Sequence, residues 1–165
     1  MGQLTPKRFQ NDSFPPDVLK LLSAFATRNV RYLIIGGYAV GAYGYLRGTR
    51  DLDVWLSPIG DNLEQVGAAL EAEGADRQAI EAFIDEVSRN QSGSLSVGDE
   101  VFQIDFLLKP KGGDFEPFYD RKHTITIAGE PISIIGYEDL ILLKKAAKRP
   151  IDFIDIQNLE AGRRK

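Results

Sequence analysis

Asp51 and Asp53 stand two residues apart in "DLDVWL", a run whose other members are apolar. Successive side chains of an extended strand point to opposite faces. The two carboxylates therefore share one face, and Leu52 and Val54 share the other. The segment "VFQIDFLL" is built the same way, with Gln103 and Asp105 on one face and Ile104 and Phe106 on the opposite one. If the two strands are neighbours, Asp51, Asp53 and Asp105 converge. Clustered carboxylates repel one another, and burying each is costly unless it is paired. A divalent cation removes that cost. Mg²⁺ takes hard oxygen ligands, commonly one or two carboxylates plus substrate phosphates. Two such ions about 4 Å apart activate an attacking oxygen and stabilise a leaving one. The competing reading of a lone strand Asp is a solvated face or an ion pair with Arg47 or Arg50. A third Asp on a second apolar strand weighs against it.

Ahead of the acidic pair, "LIIGGYAV" ends a strand in Gly36 and Gly37 and then turns into a short helix. Glycine lets backbone approach a phosphate closely, and a helix start offers free N–H groups. Taken alone, two glycines also make an ordinary tight turn. Neither a dinucleotide fingerprint nor a Walker loop is in the chain.

Composition narrows the chemistry. The 165 residues fit one domain, with residues 1–13 as a loose arm. There are no cysteines and one histidine, His123. Thiol nucleophiles, disulfides and Cys-based zinc sites are excluded, and a His-rich metal site is hard to build. The net charge of -4, with no dense Lys/Arg run, argues against a broad duplex-binding surface. The polar N-terminus has no signal-peptide core, and no apolar run reaches the ~20 residues of a membrane span. A soluble, cytoplasmic protein is expected.

These residues need elements to hold them. Helical spacing runs through "PPDVLKLLSAFATRN", "DNLEQVGAALEAEGA", "DRQAIEAFIDEVSRN", "GYEDLILLKKAAKR" and "PIDFIDIQNLEAG". Asp61 or Asn62 is expected to cap the second of these, Gly74 to end it, and Pro150 to open the last. Strands are expected at "VRYLIIGG", "DLDVWL", "HTITIAG" and "PISII". "GSLSVGDEVFQIDFLLK" reads as a hairpin turning at Gly98-Asp99, and a loop or helical turn covers "GGDFEPFYDRK". Strands and helices are mixed without strict alternation, which points to α+β or an irregular α/β sheet.

The order of the motifs sharpens the reading. An apolar residue, Gly36-Gly37, thirteen residues and then Asp51-Leu52-Asp53-Val54 resembles the signature of the DNA polymerase beta-like nucleotidyltransferase superfamily. The string "GGYAVGAYGYLRGTRDLDVWL" is similar to the small stand-alone members: abortive-infection toxins, minimal nucleotidyltransferases and small antibiotic nucleotidyltransferases. "VFQIDFL" matches their third carboxylate strand. "YEDLILLKKAAKRPIDFIDIQNL" matches a closing pattern of a lysine-bearing helix, a basic break and Asp-x-x-Asp. Two positions depart from the pattern: Tyr43, where many relatives carry His, and Ile151, where a basic residue is common.

The resemblance implies an α+β nucleotidyltransferase fold, a short mixed sheet with helices packed on it. It implies transfer of a nucleoside monophosphate from an NTP to an acceptor (small molecule, RNA or protein), releasing pyrophosphate. Asp51, Asp53 and Asp105 would hold two Mg²⁺ ions, and Asp105 would help activate the acceptor hydroxyl. Gly36 and Gly37 would bind the triphosphate through backbone N–H groups. Arg47 and Thr49 would line the triphosphate or acceptor pocket, or else form a solvated loop; Arg50 is left open. Lys144, four residues after Leu140 and so beside the helix's buried stripe, would reach a phosphate or snorkel to the surface, with Lys145 pointing elsewhere. Asp152 and Asp155 are expected to pair with Arg149 or the lysines. Tyr38, Tyr43 and Tyr45 are expected to pack. A second copy or an antitoxin-type partner fits the same resemblance. The alternatives are an inactive nucleotide- or partner-binding module on the same fold and, more weakly, a metal-dependent phosphohydrolase.

Overall fold

A computed structural model describes residues 4–6, 13–98 and 102–165. Most of the expected arm, and Asp99 of the expected hairpin turn, lie outside them. Leu4 packs against the core.

Six strands form one mixed sheet in the order β3-β4-β2-β1-β6-β5. They are β1 (Tyr32–Ile35), β2 (Asp51–Leu56), β3 (Ser92–Val97), β4 (Phe102–Leu107), β5 (His123–Ile127) and β6 (Glu130–Ile134). The acidic strand β2 is central. It runs antiparallel to β1 and parallel to β4. β1 continues the sheet by parallel pairing with β6, while β3 and β5 close the edges as antiparallel partners of β4 and β6.

Among the described residues seven helices flank the sheet: α1 (Pro16–Thr27) before it, α2 (Gly36–Ala42), α3 (Asn62–Ala72), α4 (Arg77–Asn90) and α5 (Phe115–Asp120) between strands, and α6 (Tyr137–Ala147) and α7 (Pro150–Arg163) after the last strand. One sheet face carries Leu52, Val54, Ile104 and Phe106, all essentially without exposure. Phe25 of α1 and Phe83 of α4 meet the Phe106 ring at 6.4 and 5.3 Å between centroids. Gly93 of β3 makes room for α4, since a Cβ there would stand 2.6 Å from Val87.

The opposite face carries the acids, and Trp55 shares it by alternation. Trp55 is buried because α5 covers that end of the strand. Phe115 and Phe118 pack edge-on against its indole, and the ring N–H donates to the Leu108 carbonyl. The acidic face is therefore dry at the Trp55 end and polar at the Asp51 end.

Asn62 does not cap α3 as expected. Its side chain accepts from the Arg31 N–H and donates to the carbonyls of Arg31 and Ser57, tying the start of β1 to the end of β2. Asp61 holds the N-cap position without a side-chain cap bond. Helix α4 is capped by Asp76, whose carboxylate accepts from Gln78 and Ala79. The tyrosines pack: Tyr38 stacks on Phe14, and Tyr43 meets Tyr137 edge-on while donating to the Ile135 carbonyl. Among the described residues no helix is long and apolar enough to cross a membrane.

Candidate active site

The parallel pairing of β2 and β4 places Asp53 directly opposite Asp105, and Asp51 opposite Gln103. All four side chains share one face, because paired residues in adjacent strands point the same way. Asp105 is oriented by two neighbours: Ser94 Oγ and Gln103 Nε2 both donate to its Oδ1, at 2.7 and 2.8 Å. Asp51 and Asp53 accept no side-chain hydrogen bond and form no ion pair among the described residues. Burial, followed by the charge of Asp105, pushes the Asp53 carboxyl up to about 6; Asp51 adds to the shift, while Arg149 and Lys144 oppose it.

The glycine turn lies against the acids. Gly36 has φ +68°, and a Cβ built on it would overlap the Asp53 carboxylate. Gly37 lies so near the next loop that a Cβ would stand 2.9 Å from Thr49 Oγ1 and 3.3 Å from the Arg47 guanidinium. The two glycines thus serve different neighbours, one the metal-ligand candidate and the other the Arg47–Thr49 loop. The Thr49 hydroxyl donates to the Asp51 carbonyl, which ties that loop to the start of β2.

Lys144 and Arg47 are engaged in a buried ionic network. Lys144 is 4% exposed, and its Nζ lies 2.7 Å from Asp155 and 3.2 Å from Asp152. Arg47 makes a two-pronged pair with Asp155, at 2.7 and 3.0 Å. Arg149 does the same with Asp152, at 2.9 and 3.1 Å. Burial alone would raise the Asp152 carboxyl, but the bonds from the Arg149 side chain and backbone, and from Lys144, hold it below the usual range. Three cations on two carboxylates leave one net positive charge beside Asp53. The expected pairing of Asp152 and Asp155 with Arg149 and a lysine is what the side chains form. Lys145 is exposed, as helix geometry requires.

A cleft of about 340 Å³ opens between this network and the sheet. Gly36, Asp53, Leu143, Lys144 and Arg149 line it, and Lys111 from the loop after β4 closes one side. Arg47, Thr49, Asp51 and Asp105 are not among its lining residues. A more open groove of about 910 Å³, beside Phe14, Tyr38 and Phe102, contains none of the three aspartates. Sequence reasoning passed over Lys111, Ser94 and Arg149 as site neighbours. The Lys-Gly-Gly of "KPKGGD" was the available signal for the first.

No group of three or more His, Cys, Asp or Glu among the described residues is gathered to hold a metal ion. The donor chemistry still suits a hard divalent cation that brings phosphate and water as further ligands. Asp53 is a partly buried carboxylate with no hydrogen-bond or ion-pair partner for its side chain among the described residues, and the charges of Asp105 and Asp51 act on it.

No protein-family model and no curated protein sequence matches the chain. Solved structures do. A lincosamide antibiotic adenylyltransferase, LnuA, in its lincomycin-bound form is 16% identical over 89% of this chain and 96% of its own, with a TM-score of 0.50. The antibiotic-resistance factor ANT(2'')-Ia is 18% identical over 86% of this chain and 79% of its own, with a TM-score of 0.48. A nucleotidyltransferase-like protein from Paracoccidioides brasiliensis is 15% identical over 89% and 76%, with a TM-score of 0.49. The six-stranded mixed sheet with its flanking helices is the nucleotidyltransferase fold.

Proposed function

We propose that the protein is a metal-dependent nucleotidyltransferase, moving a nucleoside monophosphate from an NTP to an acceptor hydroxyl with release of pyrophosphate. One observation carries the reading. Asp53, on a central strand, faces Asp105 across a parallel pair and touches the glycine turn at the mouth of a cation-lined cleft. The fold agrees with it.

In this reading Asp51 and Asp53 would hold Mg²⁺, and Asp105 would complete the set. Held there, the metal would supply charge neutralisation at the phosphates and so favour attack at phosphorus. The acceptor oxygen forms a bond to the α-phosphorus, and the bond from that phosphorus to the pyrophosphate oxygen breaks. Asp105, whose Oδ2 receives no hydrogen bond among the described residues, takes the acceptor proton. Ser94 and Gln103 hold that carboxylate in one orientation. The narrow turn at Gly36 lets the triphosphate approach the backbone. Arg47, Lys144 and Arg149, paired with Asp152 and Asp155, set the position of α6 and α7 and together supply a net positive field. The acceptor is unassigned. LnuA binds lincomycin, and a small hydroxylated molecule is one class to test beside RNA and protein.

The test is calorimetric titration of each NTP with Mg²⁺, followed by a pyrophosphate-release assay with candidate acceptors. Transfer of a labelled nucleotide, lost in Asp53→Asn, supports the reading. Binding without transfer to any acceptor would favour an inactive module, and release of orthophosphate would favour a phosphohydrolase.

A further inference from the structure

The cations that the sequence offers for a triphosphate are largely committed. Arg47 is paired with Asp155, Lys144 with Asp152 and Asp155, and Arg149 with Asp152. Drawing any of them to a phosphate breaks an ion pair with a carboxylate that is at most 1% exposed, and this is costly. Lys111 differs from these. It lines the same cleft as Gly36 and Asp53, is exposed, and has no acidic partner among the described residues.

Its backbone is also held. Gly112 follows it with φ +123°, and a Cβ there would stand 3.0 Å from the Leu143 side chain and 3.2 Å from the Leu143 Cα. At Gly113 a Cβ would come 2.5 Å from the Phe118 ring. The loop therefore lies backbone-first on α6 and α5. Close packing of two successive glycines restricts where the preceding residue can sit. Lys111 is thus a flexible ammonium on an anchored base at the cleft's rim. Lysine in that setting acts as a point charge with three donors, suited to phosphate oxygens.

We propose that Lys111 binds the polyphosphate tail of the nucleotide and is the cleft cation that does so without giving up an internal ion pair. The proposal rests on the nucleotidyltransferase reading and adds to it a residue outside the expected motifs. Lys111 draws the tail towards the β4–α5 side of the cleft.

Affinities of ATP, inorganic tripolyphosphate and AMP, each with Mg²⁺, would be measured for the wild-type protein, Lys111→Ala and Lys109→Ala. Lys109 is exposed on the same loop and does not line the cleft. The expected result is a loss of about tenfold or more for ATP and tripolyphosphate in Lys111→Ala. AMP binding should be unchanged, and Lys109→Ala should match the wild type. Lys111→Arg should recover most of the affinity. Equal, small losses from both alanine variants would overturn the proposal while leaving nucleotidyl transfer intact. Tripolyphosphate binding that depends on Lys111 in a protein that transfers no nucleotide would overturn the transferase reading and keep the site. A wild-type protein that binds neither tripolyphosphate nor any of the four NTPs would overturn both.

Discussion

Gly36 and Asp53 are packed so closely that no other residue fits between the glycine turn and the carboxylate. Two requirements meet at Gly36. Its φ of +68° disfavours L side chains, and the space a Cβ would need is filled by Asp53. The turn and the acid therefore define each other's position.

Gly36→Ala should lose both stability and nucleotide binding. Gly60 is the control, with φ +66° and nothing within 4 Å of a built Cβ. The backbone penalty of about 1 kcal/mol should be common to both. Overlap with Asp53 should add roughly 1–3 kcal/mol at Gly36 alone. Denaturant titration of the two variants reads the difference, and equal losses would mean that Asp53 simply moves aside.

The pH dependence of the metal-free protein should carry a mark of Asp53. Its carboxyl is raised from 3.8 to about 6, so between those values the folded state binds more protons than the unfolded one. Stability from this group accordingly falls as pH rises through that window. Asp53→Asn removes the term. It should stabilise the apoprotein above pH 6 by up to about 3 kcal/mol, with the gain vanishing near pH 4. Melting curves at pH 4, 5, 6 and 7.5 decide this, and a variant less stable at pH 7.5 would contradict it.

Lys144→Ala should unfold more readily as well as bind nucleotide poorly. The substitution leaves Asp152 and Asp155 buried with one cation fewer, a loss of about 3 kcal/mol. Lys145→Ala, at an exposed position, should stay within about 0.5 kcal/mol of wild type. Chemical denaturation separates them. A stable Lys144→Ala protein with weak NTP binding would return Lys144 to direct phosphate contact.

Ser94→Ala should act through Asp105. Losing one of the two donors on Oδ1 loosens that carboxylate, and such supporting bonds to metal-ligating groups are worth about tenfold in activity or metal affinity. The expected signature is a lower kcat with KM for NTP little changed, and recovery in Ser94→Thr. An equal loss in KM alone would place Ser94 on the substrate side.

Local rules determined much of this protein. Period-two alternation put Asp51, Asp53 and Asp105 on the polar side of apolar strands, because a strand repeats every two residues whatever surrounds it. Helical periodicity, Pro150 and the glycine turns marked the elements for the same reason: each depends on a few neighbouring dihedrals. Tertiary structure alone decided the adjacency of β2 and β4, since pairing between strands some fifty residues apart leaves no local trace. It also decided that Trp55, on the acidic face by parity, is dry under α5. Asn62 looked like a helix cap and instead bridges Arg31 and Ser57, because its side chain meets buried backbone groups brought there from β1 and β2. The charged residues depended on tertiary structure most. Lys144, Arg47 and Lys111 are alike as cations in sequence. What separates them is whether the fold delivers a buried carboxylate to each, and Asp155 on the last helix reaches the first two.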